Sequence, residues 1–494
     1  MPAPKTTDRL DALLERHRAP IERLIERYSL PLHVFFVEEM EANARGFQDV
    51  LRTRSPGSTV AFAVKSNPCR GAVRAAKRLG LGADVASEHE LRVAREEGID
   101  ASRIVCNGNA KSAEYLDAAV GAGALIALDN DAEIELLEER AAGAPADVLA
   151  RFRGMPLSGL TSDDQTTAAD WTKFGFHIDE AERLFARLGS SDRLRFRGVS
   201  AHIGTQIADP VGYELLLDHL LRLAELAVEH GLKVDTIDIG GGFPVAFLTE
   251  SAWERFTARL LARLRGETPV SEAVTWNDAP MGYADASREG PAPPWIGKAY
   301  WSRYPAAWMV ARLLEHRYVS GETVADRLKE LGGPRLIVEP GRSLMASAGV
   351  TLARATGVKT VLGRPVVSLD LGINNHGTNL ISPDIFPVAV LPRRPDDSPA
   401  DAFLAGRLCF SGDMISKATV ELNRLPAAGE RCVVYHTGAY SADHFASNSC
   451  GFPLPAKVAI RSDGTAELWR APQTFTDVFG AADSDLSIDG ASGA

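Results

Sequence analysis

The stretch that decides the fold is TVAFAVKSNPCRGAVRAAKRLGLGADVASEHELRVAREE, residues 59–97. It opens on an apolar, β-rich run, Thr59–Lys65, and Ala83–Ser87 repeats that character. After each run comes a stretch, Arg70–Leu79 and Glu88–Glu97, in which small and aliphatic residues recur three and four apart among Arg, Lys and Glu. Buried strands alternating with one-sided helices predict a parallel βαβ unit.

Outward from this unit the alternation continues. Arg103–Gly108, Leu125–Asn130, Asp147–Arg153, Phe196–Gly204, Val234–Gly240 and Pro334–Gly341 read as further strands, and Gly212–Glu229 as a long helix. Eight such units predict a (β/α)8 barrel, a fold of about 250 residues before insertions, here over residues 39–345. A doubly wound open sheet is the competing arrangement. The interval 245–333, before the last strand, carries helical stretches at Ser251–Arg265 and Ala306–Arg317. It also holds an aromatic segment with Trp276, Tyr283, Trp295, Tyr300 and Trp301. That insertion reads either as a lid or dimer contact, or as a packed unit with a small core of its own.

Past Ser343 strand-like runs follow one another without helices: Val350–Val361, Pro365–Leu371, Ile385–Leu391, Arg407–Ser411, Arg431–His436 and Lys457–Trp469. They predict an antiparallel, sandwich-like β domain over 346–480. Residues 1–38 would supply a helix (Asp8 to Glu26) and a strand, Pro31–Glu38, joining that domain. Residues 481–494, rich in Gly, Ala, Ser and Asp, read as a disordered tail.

Composition narrows the partners. The 494 residues carry a net charge of −11, which argues against nucleic acid and anionic membranes. No apolar run is long enough to span a bilayer, and the polar N-terminus is unlike a signal peptide. Five widely spaced cysteines fit reduced thiols, hence a cytoplasmic location, and show no metal-ligand spacing.

In a parallel barrel the reactive groups gather at strand C-termini. Lys65, ending AFAVKSNP, is either an ordinary strand end or a desolvated amine of lowered pKa able to form a Schiff base. Asp84, in GADVAS, either pairs with it or caps the helix that follows. His202, in SAHIGTQ, is a core histidine or stacks on a flat cofactor. Gly240, Gly241 and Gly242, in DIGGGFP, form a tight turn or a phosphate-binding backbone. In EPGRS, Glu339 and Arg342 form a structural ion pair, or Arg342 meets a carboxylate while Gly341 adds a backbone contact. In the β domain, CFSGD places Cys409, Phe410 and Asp413 in a turn, and GAYS places Tyr440; packing is the plainer reading of the cysteine and tyrosine.

Taken together, AVKSNP, DVAS, KFG (Lys173 to Gly175), HIGTQ, GGGFP, EPGRS, CxSGD and GAY resemble, in order, the pyridoxal-5′-phosphate (PLP) decarboxylases of the diaminopimelate, ornithine and arginine group, over about Thr59 to Tyr440. The resemblance implies a PLP-dependent amino-acid α-decarboxylase, acting as a homodimer with shared sites. Lys65 would hold the cofactor and His202 stack on its ring. Gly240 to Gly242, Gly341 and Tyr440 would bind its phosphate, and Glu339 its pyridine nitrogen. Arg342 would bind substrate, with Asp413 beside it, and Cys409, from the partner subunit, would return the proton. The distal pocket departs from that family. Phe410 stands where it has an acidic residue. In the ISPDIFP stretch, Ser382 and Phe386 stand where the diaminopimelate enzymes have Arg and Tyr. A racemase on the same barrel and a catalytically inactive binding relative are the alternatives.

Overall fold

The computed structural model describes residues 6–140, 145–157, 166–283, 297–318, 321–377 and 385–480. The expected tail, and Ser382 and Trp295 with it, lie outside these ranges. The first strands are β1 (Leu32–Phe36), β2 (Thr59–Ala63), β3 (Gly82–Val85), β4 (Ile104–Cys106), β5 (Leu125–Leu128), β6 (Ala146–Arg153) and the two-residue β7 (Phe176–His177). Then come β8 (Leu194–Ser200), β9 (Thr236–Asp238) and β10 (Arg335–Val338). Eight of these, all but β1 and β7, pair in parallel in the order β2-β3-β4-β5-β6-β8-β9-β10, and β10 pairs with β2 to close the ring. The barrel, not the open sheet, is therefore the fold.

Strand alternation builds two cores. Ala61, Val105, Ala127, Leu149 and Ile337 form a separate cluster, as expected of residues pointing at a barrel axis. Their neighbours Val60, Phe62, Ile126, Val148 and Val338 join the main core, together with Leu216, Leu220 and Ala224 of the helix Pro210–Glu229. In β8 an extra residue is accommodated opposite Val148 and Leu149. The following Gly198 lies at φ 152°, so close to β9 that a Cβ would sit 1.8 Å from Thr236 O.

The second domain comprises β11 (Gly349–Val361), β12 (Arg364–Leu369), β13 (Val388–Leu391), β14 (Ala400–Ala405), β15 (Met414–Leu422), β16 (Arg431–Tyr435), β17 (Lys457–Ile460) and β18 (Ala466–Arg470). It is mixed rather than purely antiparallel: β1 runs parallel to β17, and β12 parallel to β14. The long β11 joins its parts, pairing with β1 and β16 through its first half and β12 through its second. The N-terminal strand enters as expected. The helix before it is broken at His17 into Asp8–Arg16 and Arg18–Tyr28.

Two of the expected strands differ. Lys457–Trp469 is a hairpin, β17 and β18, turned at residues 461–465. Arg407–Ser411 is not a strand but the loop joining β14 and β15. Its apolar residues mimic a strand, yet the Asp413 carboxylate accepts from Leu408 N–H (2.6 Å) and Ile373 N–H (2.8 Å), which curls the chain.

The insertion packs against the β domain. Thr419 N–H donates to Val274 O, Trp276 meets Phe403 edge-on at 5.3 Å, and buried Tyr300 accepts from the Phe247 and Leu248 N–H groups. The domains are further joined where Trp469 stacks on Phe35 at 4.9 Å and lies over Gly71, leaving no room for a side chain there.

Candidate functional site

β2 delivers Lys65 to the barrel mouth through a single helical turn, Val64–Ser66. Its ammonium pairs with Asp84, buried at the end of β3. Helix capping falls instead to Ser87, whose hydroxyl accepts from Glu90 N–H. The Lys65 side chain is 40% exposed, so the amine is reachable. Desolvation alone would lower its pKa, as expected from sequence. Asp84 first, then Tyr440 and Glu339, outweigh it and hold the ammonium above its ordinary range. The expected depression is thus corrected by a paired carboxylate.

Behind Lys65 lies a cluster that sequence reasoning did not assemble. Asn107, just past β4, uses its amide Nδ2 to donate to Asp84 Oδ1 (2.8 Å) and Glu339 Oε1 (2.7 Å). Glu339 is buried just past β10, and Asp238 is buried at the end of the neighbouring strand β9. Asp238 also accepts from Gly240 N–H at 2.9 Å. Burial first, and then the neighbouring carboxylates, push Glu339 well above the carboxylate range; burial likewise raises Asp238. Asp238 stands in the DIGGG motif, yet a strand-end aspartate carries no sequence signal of its own. Asn107 carries none either.

His202, two residues past β8, accepts Gly204 N–H at Nδ1 (3.1 Å) and lies 3.2 Å from Thr167 Oγ1. Its ring proton therefore belongs on Nε2. Burial, with Lys65 and Arg151 near by, drives its pKa down to about 3, so the ring is neutral. The glycine run is fixed by the chain itself. A Cβ on Gly240 would lie 2.9 Å from His202 Cδ2, on Gly241 2.3 Å from Glu339 O, and on Gly242 2.4 Å from Gly204 O. At Gly341 it would meet Tyr440 Oη at 2.7 Å. Tyr440 is held at φ 63°, its N–H donating to Ser66 O (2.7 Å), with the Arg342 guanidinium 5.0 Å from its ring centre. A tyrosine in left-handed backbone is a strained conformation of the kind that collects at working sites. Glu339 and Arg342 do not form the ion pair that sequence offered; Glu339 accepts from Asn107 instead.

The remaining candidates make other contacts. Cys409 and Phe410 are exposed on the β14–β15 loop, Phe410 at 59%, and share no hydrogen bond or ion pair with the residues around Lys65. Asp413, expected beside the substrate, has both carboxylate oxygens engaged by loop N–H groups, as above. Phe386 is 2% exposed, edge-on to Phe247 (5.7 Å) and 5.1 Å from His376.

A parallel barrel with a lysine, a neutral imidazole and a deep carboxyl converging on one mouth defines the class: a barrel enzyme working at its strand C-termini. Comparison with known proteins makes this specific. Residues 37–275 match the family model of the pyridoxal-dependent decarboxylases, pyridoxal binding domain. A diaminopimelate decarboxylase of Actinosynnema pretiosum is 29% identical over 93% of this chain and 90% of its own length. The uncharacterized protein y4yA of Sinorhizobium fredii is also 29% identical, over 92% of each. The crystal structure of diaminopimelate decarboxylase from M. jannaschii with L-lysine superposes with a TM-score of 0.73 at 21% identity, covering 94% of each chain. Residues 37–275 thus resemble the pyridoxal binding domain of the pyridoxal-dependent decarboxylases, and the chain is a PLP-dependent amino-acid decarboxylase.

Proposed function

We propose that the protein removes the α-carboxylate of an amino acid whose far end does not carry the charged groups of diaminopimelate. The observation that carries this reading is Phe386, buried among Phe247 and His376 where the resembled family keeps a tyrosine near the substrate's far end. Burying an ammonium or carboxylate there without a partner would cost several kcal/mol. Phe410 extends the same change.

The mouth fits a flat, anionic pyridine. Lys65 is reachable, His202 presents an uncharged ring, Glu339 lies deep, and the bare Gly341 leaves room beside Tyr440 Oη, which a Cβ there would meet. In this reading Lys65, His202, Glu339, the run Gly240–Gly242, Gly341 and Tyr440 hold the cofactor. Pyridoxal phosphate supplies an electron sink for the pair left at Cα when carbon dioxide departs. Asp84 orients Lys65 and balances its charge. His202, neutral at working pH, covers a ring face without competing for protons. Arg342 binds the substrate α-carboxylate. Cys409 Sγ returns the proton to Cα. Its exposure on the β14–β15 loop supports a homodimer in which it serves the partner's site.

Lys65→Ala tests the anchor. The visible absorbance band of lysine-bound cofactor and the carbon dioxide release should vanish together, and persistence of both would remove Lys65 from this role.

A further inference from the structure

We propose that Thr167 is a positioning residue whose hydroxyl locks the His202 imidazole in the orientation and tautomer with which it covers a flat cofactor ring. The proposal rests on the reading of His202 given above and supplies what holds that ring. Rotation of a histidine ring about Cβ–Cγ is soft, so the rotamer alone does not fix the plane it presents. Here Thr167 Oγ1 donates to His202 O at 2.5 Å and lies 3.2 Å from His202 Nδ1. One hydroxyl proton thus faces two acceptors of the same residue, and bridging them ties the ring to its own main chain. Gly204 N–H donates to Nδ1 from a second direction, at 3.1 Å. A proton on Nδ1 would meet that N–H, so the ring proton stays on Nε2.

Thr167 can grip the ring because its own backbone is fixed. Its N–H donates to Ile203 O at 3.3 Å, Thr166 forms an antiparallel bridge with Gly204, and Ala168 O accepts from Met155 N–H at 2.9 Å. Thr166 and Ala168, on either side, are buried. The other edge of the ring runs along the glycine turn: a Cβ on Gly240 would lie 2.9 Å from His202 Cδ2, and one on Gly241 3.4 Å from Nε2. The imidazole is therefore held at both edges, by a hydroxyl and an N–H on one and by bare backbone on the other. Gly204, Gly240 and Gly241 contribute main chain, whereas the Thr167 hydroxyl can be removed by substitution.

The visible circular dichroism of bound PLP, its dissociation constant, and the melting temperature of the cofactor-free protein test this in Thr167→Val, Thr167→Ser and His202→Ala. Valine keeps the branched shape and removes the hydroxyl. Thr167→Val should weaken the dichroism and raise the dissociation constant about two- to tenfold, the range of one hydrogen bond. Thr167→Ser, which keeps the hydroxyl, should stay near wild type. A merely structural hydroxyl would lower the melting temperature of Thr167→Val and leave the dichroism and affinity for PLP untouched, and that result overturns the proposal. So does a change in Thr167→Val that Thr167→Ser fails to restore. His202→Ala separates the two layers of the argument. If it alters the dichroism and affinity while Thr167→Val does not, His202 keeps its place on the cofactor and only the part of Thr167 falls. If neither variant alters them, the reading of His202 falls and the proposal with it.

Discussion

His436 is a single side chain whose surroundings set a measurable pH response. It is 3% exposed, at φ 60°, edge-on to Phe247 at 5.6 Å, and burial pushes its pKa down to about 4. An unfolded histidine takes up its proton near pH 6.5. Between those values the unfolded chain binds more protons, so stability is full above the upper value and falls as pH drops through the window. The slope from this residue is up to about 1.4 kcal/mol per pH unit. His436→Asn keeps a residue tolerant of left-handed backbone. Its stability deficit relative to wild type should shrink as pH falls across that window in denaturant titrations. A constant deficit would mean His436 is not held neutral. The residue scale is also where sequence was least informative. Lys65, Asp84, His202 and Glu339 were legible because each ends a strand inside a motif. Asn107 and Asp238 were not, because their meaning lies in what the closed barrel places beside them: Asn107, from β4, reaches carboxyls on β3 and past β10. The lysine's charge state was half read: pairing with Asp84 was one of the readings, but that the pair outweighs desolvation depends on a closeness that only the fold sets.

Among the elements, β8 shows a backbone constraint that can be tested without touching the site. Gly198 approaches Thr236 O too closely for any side chain, whereas Gly121, in the helix Ala113–Ala122, faces open space. Gly198→Ala should destabilise by about 1–3 kcal/mol or more, while Gly121→Ala should stabilise by up to about 1 kcal/mol. Thermal melts of the two variants would check this, and similar shifts in both would contradict the bulge. The barrel strands were legible because they are short, buried and separated by one-sided helices. The β14–β15 loop was misread because Leu408, Cys409 and Phe410 are apolar, yet only Leu408 packs against the core and the other two are exposed. A side chain, Asp413, shapes that loop, and local propensity does not register it.

For the whole molecule, the count and order of units carried the fold: eight strands in sequence order closed the ring as the alternation implied. Parallel pairings in the β domain were not legible, since they join segments as distant as β1 and β17. No helix among the described residues is long and apolar enough to cross a membrane. If Cys409 serves a partner's Lys65, mixing inactive Lys65→Ala with inactive Cys409→Ala should restore roughly a quarter of wild-type activity, because half the dimers are hybrids with one intact site. No restoration after subunit exchange would place both groups in one chain's site.

The most direct measurement of the central claim is carbon dioxide release by the PLP-loaded protein from a panel of L- and D-amino acids. The panel holds diaminopimelate, ornithine, lysine, arginine and apolar or N-substituted analogues. Release from a member other than diaminopimelate, with diaminopimelate poor, is the predicted result. Strong release from diaminopimelate would contradict the reading of Phe386 and Phe410, and loss of optical activity without carbon dioxide would make the protein a racemase instead.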